Sequence, residues 1–218
     1  MITLGNICVC VSLILYLFLY LPQIYHNFRY RRYENMSLGF HALFLIAALA
    51  DIIYGFGRIS QWQYRLVGLI TLIAILVQHA QLLTYRHHHY ADRLILISLT
   101  VFIVIFIFFG AVILVAPDKH AVLILSMGWV ERFGYSFYVI PQFIKGVKEQ
   151  SLNSISVFFL WIAVVTSFCD SVSAWCLSWG PSSLYGAPVT FILTGMLLSQ
   201  YYFLTNKPVA QGAGCISE

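Results

Sequence analysis

Asp51 and Asp170 are carboxylates set inside long apolar runs, 119 positions apart, and other residues share that spacing. Leu21-Pro22-Gln23 returns as Ile140-Pro141-Gln142, and Ser37, Thr71 and Gln81 return as Ser156, Thr190 and Gln200. A carboxylate within a bilayer costs several kcal/mol unless it is paired, protonated or facing water. Three roles are open to such a group: carrying a proton, balancing a cationic solute, or making a structural hydrogen bond to a neighbouring helix. Two of them at equivalent places of a duplicated unit point to one central cavity between the copies.

Further polar residues stand in the same runs. Glu131 lies next to Arg132. Adjacent helical residues diverge by about 100°, so the two need not pair with each other. Arg132 could instead reach Asp170, and Glu131 a polar group on another helix. The repeat mate of Glu131 is Ser12, polar but uncharged. Gln81 and Gln200 are mates that either line a polar path or act as hydrogen-bonding glue between helices. His79 stands within one turn of Gln81 as a single histidine, a residue that can sense pH but here reads as structural. His87-His88-His89 forms a tandem with no Cys or carboxylate cluster to complete a metal site.

Pro22 and Pro141 lack an amide hydrogen, which frees the carbonyls of Phe18 and Phe137 and kinks each helix. Gln23 and Gln142 follow directly and can bond the freed backbone or one another. Paired kinks at the repeat offset read as hinges.

The elements that position these residues are membrane helices. The chain has 218 residues, 61% of them hydrophobic and 9% charged, where a soluble domain carries about 25% charged residues. A spanning helix needs about 20 apolar residues. Seven segments fit, over 3–28, 37–58, 64–85, 93–116, 121–145, 156–178 and 184–205. Asp51 and Asp170 each lie about 14 residues into their helix, which is roughly 21 Å of rise. The fourth segment has no repeat mate, and one odd helix between two triplets makes them parallel. The predicted fold is an all-α membrane protein of seven transmembrane helices in a 3+1+3 order. Its divisions are a first three-helix repeat over 1–86, a linker helix over 87–119, a second repeat over 120–207 and a short tail over 208–218.

Basic residues gather on one side: Arg29, Arg31, Arg32, Arg86, Arg93, Lys145, Lys148 and Lys207, against Arg58, Arg65 and Lys119 on the other. The positive-inside rule then puts the N-terminus outside or in a lumen and the C-terminus in the cytoplasm, in a plasma membrane or an endomembrane. The first apolar run reads as a retained helix, since it has no basic n-region or cleavage site. The cysteines read as buried thiols, and Cys215 sits in a poor prenylation box. Trp161 and Trp175 are candidates to line a cavity. A net charge of +4 is too small to argue for nucleic acid. GxSxG, HExxH and P-loop patterns are all missing, so the chain reads as no enzyme, with no metal or cofactor. The partners expected are lipid, a small-molecule substrate and protons, with a homo-oligomer compatible.

Pro22-Gln23-Ile24-Tyr25-His26-Asn27, a basic stretch and then Met36-Ser37-Leu38 resemble the first repeat of the PQ-loop family. Pro141-Gln142 followed by Ser151-Leu152-Asn153-Ser154-Ile155-Ser156 resembles the second. That family includes cystinosin, lysosomal cationic amino-acid exporters and the SWEET sugar carriers, and KDEL receptors share its architecture. The resemblance implies alternating access of two three-helix bundles hinged at Pro22-Gln23 and Pro141-Gln142. The stretch Asp51-Ile52-Ile53-Tyr54-Gly55 matches the place where sugar carriers present a stacking Trp, so Asp51 and Tyr54 fall at the substrate position. Gly68 and Ala187 stand where those carriers have Asn, and Ala163 where cystinosin has an acidic residue. Replacing rings and amides with carboxylates implies an amino acid or other amine-bearing solute, with proton coupling through Asp170 and Asp51. The rivals are a facilitative sugar carrier of SWEET type and a non-transporting receptor of KDEL-receptor type.

Overall fold

The computed structural model describes residues 1–30, 36–58, 62–85, 90–152 and 154–205. Arg31, Arg32, Arg86, the His87–His89 tandem, Lys207 and Cys215 lie outside the described residues. Within them the chain is helical and without strand: α1 (Ile2–Leu19), α2 (Leu21–Tyr30), α3 (Leu38–Gly57), α4 (Trp62–Tyr85), α5 (Tyr90–Val115), a 3₁₀ turn (Pro117–His120), α6 (Ala121–Phe137), α7 (Val139–Glu149), α8 (Val157–Cys176) and α9 (Pro181–Thr205). Among the described residues six stretches are long and apolar enough to cross a membrane: Ile2–Tyr30, Leu38–Gly57, Trp62–Tyr85, Tyr90–Val115, Val157–Cys176 and Pro181–Thr205. The remaining predicted span, 121–145, falls on α6 and α7, two pieces of 17 and 11 residues.

The break between α6 and α7 is at Tyr138, and that between α1 and α2 is at Tyr20. Each lies in the turn just before a proline, Pro141 or Pro22. There the missing amide and the ring clash act on the preceding turn.

Packing repeats itself across the two halves in a crossed pattern. The first helix of one half lies against the second helix of the other: α1 on α8, and α6 on α3. Within each half the second and third helices pack together, α3 on α4 and α8 on α9. Close approach at the crossed contacts depends on glycine. A Cβ on Gly134 of α6 would sit 2.7 Å from the Ala47 Cβ, and one on Gly5 of α1 would sit 2.7 Å from Leu177 Cγ. Lipid offers helices no hydrophobic reason to associate, so small residues that let backbones meet supply the packing.

Helix α5 attaches to the first half, against α3 and α4. Its Thr100 ends a buried chain: His41 Nε2 lies 2.9 Å from His79 Nδ1, and His79 Nε2 lies 2.9 Å from Thr100 Oγ1. His79 is therefore half of a hydrogen-bonded histidine pair, ring centres 5.2 Å apart and planes nearly parallel, rather than a lone structural histidine.

Beside the cavity described below, a plug of rings joins the halves. Phe44 of α3 lies 5.8 Å from Tyr20, 4.8 Å from Tyr138 and 5.7 Å from Tyr135, ring centre to ring centre.

Candidate functional site: a polar cavity between the two halves

A cavity of about 100 Å³ lies between the halves, lined from α1, α3, α4, α6, α8 and α9. Asp51, Asp170, Glu131 and Arg132 all face it, so three of the charged residues singled out in the sequence meet with a fourth. Glu131 is 1% exposed and Asp51 5%. Gly68 makes room for Asp51, since a Cβ there would lie 3.2 Å from Asp51 Oδ2. Ala163 and Ala187 contribute small walls.

The repeat places equivalent groups around the two aspartates. On one wall Ser12 Oγ donates to Asp170 Oδ1 and the Tyr16 hydroxyl donates to Asp170 Oδ2 at 2.9 Å. On the other the Tyr135 hydroxyl donates to Asp51 Oδ2 at 3.4 Å, and Glu131 stands where Ser12 stands. Tyr16 and Tyr135 are themselves 119 positions apart. Sequence reasoning missed this pair although the repeat offset marks it, because tyrosines are common in membrane helices and fourteen are present.

Glu131 and Arg132 do pair, contrary to the divergence of neighbouring helical residues: Arg132 Nε lies 3.1 Å from Glu131 Oε1. Both side chains are long enough to curl back toward each other, with Arg132 12% and Glu131 1% exposed. The guanidinium also sits 6.0 Å from the centre of the Tyr64 ring. Its stem passes Gly186 of α9, where a Cβ would lie 3.0 Å from Arg132 Cδ. No ion pair joins Arg132 to Asp170 among the described residues.

Several polar atoms on this lining are buried without a well-formed hydrogen bond: Asp51 Oδ1, Glu131 Oε2, Thr166 Oγ1 and the Tyr64 hydroxyl, which interacts loosely with both carboxylates. Buried polar atoms are nearly always satisfied, so a concentration of poorly satisfied donors and acceptors in one cavity marks a place for a polar guest.

The other predicted residues fall elsewhere. Tyr54 packs flat on α6, where a Cβ on Gly128 would lie 2.6 Å from its ring, and Tyr64 takes the cavity position instead. Gln81 and Gln200 are braces away from the cavity. Gln81 Nε2 donates to the Ile24 carbonyl at 3.3 Å, and Gln200 Nε2 donates to the Phe143 carbonyl at 3.0 Å, the same bond in each half. Gln23 and Gln142 reach across the molecule. The Gln23 side-chain carbonyl accepts from Ser156 N at 2.8 Å, and that of Gln142 accepts from Ser37 N at 2.7 Å. Ser37 and Ser156 cap α3 and α8, so each Pro-Gln glutamine holds the start of the other half's second helix. Trp161 and Trp175 face outward; Trp161 Nε1 donates to the Tyr202 hydroxyl at 2.9 Å. Of the described cysteines only Cys169 is buried, and none is in a disulfide.

Fold and site together define a multi-pass helical membrane protein with an internal repeat and a polar cavity between its halves. Residues 4–64 match the family model of the PQ loop repeat. The matched segment holds Pro22, Gln23 and Asp51. Proteins of that family are in general transporters or receptors rather than enzymes. No curated protein matches the chain.

Proposed function

We propose that the protein is a membrane transporter that moves a small polar solute, an amino acid or other amine-bearing metabolite, by alternating access coupled to protons. The observation that carries this reading is the cavity between the halves, where three carboxylates and one guanidinium converge with hydroxyl and carboxylate oxygens that lack well-formed hydrogen bonds. If all four groups are ionised the lining is net negative, a state that a bilayer interior tolerates only with protons or a cationic guest. The family match is compatible with transport.

In this reading the chain has seven spans, two parallel three-helix repeats over 1–86 and 120–207 joined by a linker helix over 87–119, and a cytoplasmic tail. Asp51 and Asp170 are both neutralised, Asp51 by a proton or by the solute and Asp170 by a proton. The uncharged cavity then closes on one side and opens on the other. Rigid helices bend at Tyr20–Pro22 and Tyr138–Pro141, where the helical ladder is already interrupted. The ring plug around Phe44 and the crossed glutamine bonds form the closed gate on the Pro-Gln side.

Purified protein sealed in liposomes with a pH dye tests this. The panel is arginine, lysine, histidine, cystine, neutral amino acids and glucose. A pH change driven by one amino acid, and abolished when Asp51→Asn and Asp170→Asn are combined, is the expected result. Unchanged flux in that double variant overturns the mechanism. Labelled glucose equilibrating with no pH change makes the protein a facilitator, and saturable binding without flux makes it a receptor.

A further inference from the structure

The two halves present their aspartates in opposite states. Asp170 of α8 is satisfied at both oxygens by hydroxyls of α1, Ser12 and Tyr16. Those bonds join the first half of the chain to the second. Asp51 of α3 has one long bond, 3.4 Å from Tyr135, a Tyr64 hydroxyl that interacts with both it and Glu131, and no well-formed hydrogen bond at Oδ1. The difference traces to one repeat position. Where α1 offers the Ser12 hydroxyl, α6 offers Glu131, which cannot donate to Asp51 when ionised and repels it at close range in a poorly polarisable interior. Arg132 offsets Glu131 through Nε, which leaves one carboxylate charge of this wall unbalanced and Glu131 Oε2 without a well-formed hydrogen bond, beside the shared Tyr64 hydroxyl.

A guest that completes this wall brings one positive charge and several N–H donors to two carboxylates. A primary ammonium does so: three donors on a compact cation, against Asp51 Oδ1 and Glu131 Oε2. A quaternary ammonium carries the charge and no donor. A sugar hydroxyl donates but leaves the charge. At Asp170 each oxygen already holds a hydroxyl donor across the interface between halves.

We infer that the carboxylates divide the work: the Asp51–Glu131 wall seats the primary ammonium of the solute, while Asp170 with Ser12 and Tyr16 is a latch between the halves that makes no contact with the solute. The inference rests on the transport reading for the meaning of the latch, but the seat is a statement about binding alone.

Equilibrium binding to purified protein in lipid nanodiscs separates the two. The probes are methylammonium, ethanolamine, L-alanine and L-lysine, each beside its N-trimethylated analogue. At least one primary amine binds, and its trimethylated form binds about tenfold more weakly or worse, the loss expected of charge-assisted hydrogen bonds. Asp51→Asn weakens that binding about tenfold or more. Asp170→Asn keeps the affinity within about threefold, less than one hydrogen bond's worth, yet slows flux in liposomes. Ser12→Ala combined with Tyr16→Phe, which leaves the carboxylate in place, repeats that split should Asp170→Asn fail to fold. Equal loss of binding in the Asp51 and Asp170 variants overturns the division and leaves the transport reading standing. Equal binding of a primary amine and its trimethylated form overturns the ammonium seat. No binding of any probe to the unaltered protein overturns both the seat and the choice of solute class.

Discussion

Tyr16 and Tyr135 occupy the same place in the two copies and reach the same kind of partner, at 2.9 Å and 3.4 Å. At the shorter distance the hydroxyl makes a good hydrogen bond to a carboxylate; the longer one is near the limit of a bond. A hydrogen bond to a charged group contributes about 1.5–3 kcal/mol and a neutral one about 1 kcal/mol. Tyr16→Phe is therefore expected to lower thermal stability in detergent by an amount of order 1–2 kcal/mol, and Tyr135→Phe by clearly less. Unfolding followed by circular dichroism or by tryptophan fluorescence decides it. A larger loss in Tyr135→Phe would mean that Asp51, not Asp170, is the aspartate held fast.

Among the helices, the crossed glutamine bonds are the connection with the clearest consequence. The first turn of a helix has amides with no partner inside the helix. At α3 and α8 the capping serine accepts from an amide three residues on, Phe40 N or Phe159 N. Its own amide is taken by the glutamine of the opposite half. Removing that acceptor leaves a buried N–H, at a cost of about 1–3 kcal/mol. Gln23→Ala and Gln142→Ala are each expected to speed hydrogen exchange of the Ser156 and Ser37 amides respectively, about tenfold or more for such a loss. The effect is local to the helix start held by the altered glutamine. Exchange measured by mass spectrometry on peptides covering each start reads it directly. Exchange unchanged at both would show that the glutamines do not hold the helices in the membrane-embedded protein.

At the scale of the whole molecule the halves meet along two faces, and those faces must slide or tilt if both sides of the cavity are to open in turn. In the proposed cycle the ring plug and the two glutamine bonds close the Pro-Gln side. Cysteines placed at Ser37 and Gln142, in a background with the native cysteines replaced, can be joined by a short reducible cross-linker. The joined protein is expected to lose flux and to regain it on reduction, while solute binding persists. Flux that survives the cross-link would place the moving parts elsewhere.

Much of this was legible in the sequence because it depends on local chemistry. Low charge and long apolar runs force membrane helices, since a bilayer leaves the backbone no other partner. The offset of 119 reveals the duplication, and the paired prolines Pro22 and Pro141 mark the helix breaks at Tyr20 and Tyr138 to within a turn, whereas Pro188 is carried inside an unbroken α9. The carboxylates of Asp51 and Asp170 were conspicuous for the same reason, as costly groups in an apolar setting. What only the tertiary structure decided is which atom meets which: Gln23 with Ser156, Tyr16 with Asp170, Glu131 with Arg132, His41 with His79, and Tyr64 rather than Tyr54 at the cavity. In a soluble helix an apolar stripe shows which face turns inward. These helices are apolar toward lipid and toward their neighbours alike, so periodicity says little of their rotation. Most of these partners lie far apart in the chain, and small residues such as Gly134 and Gly5 set how closely the backbones approach.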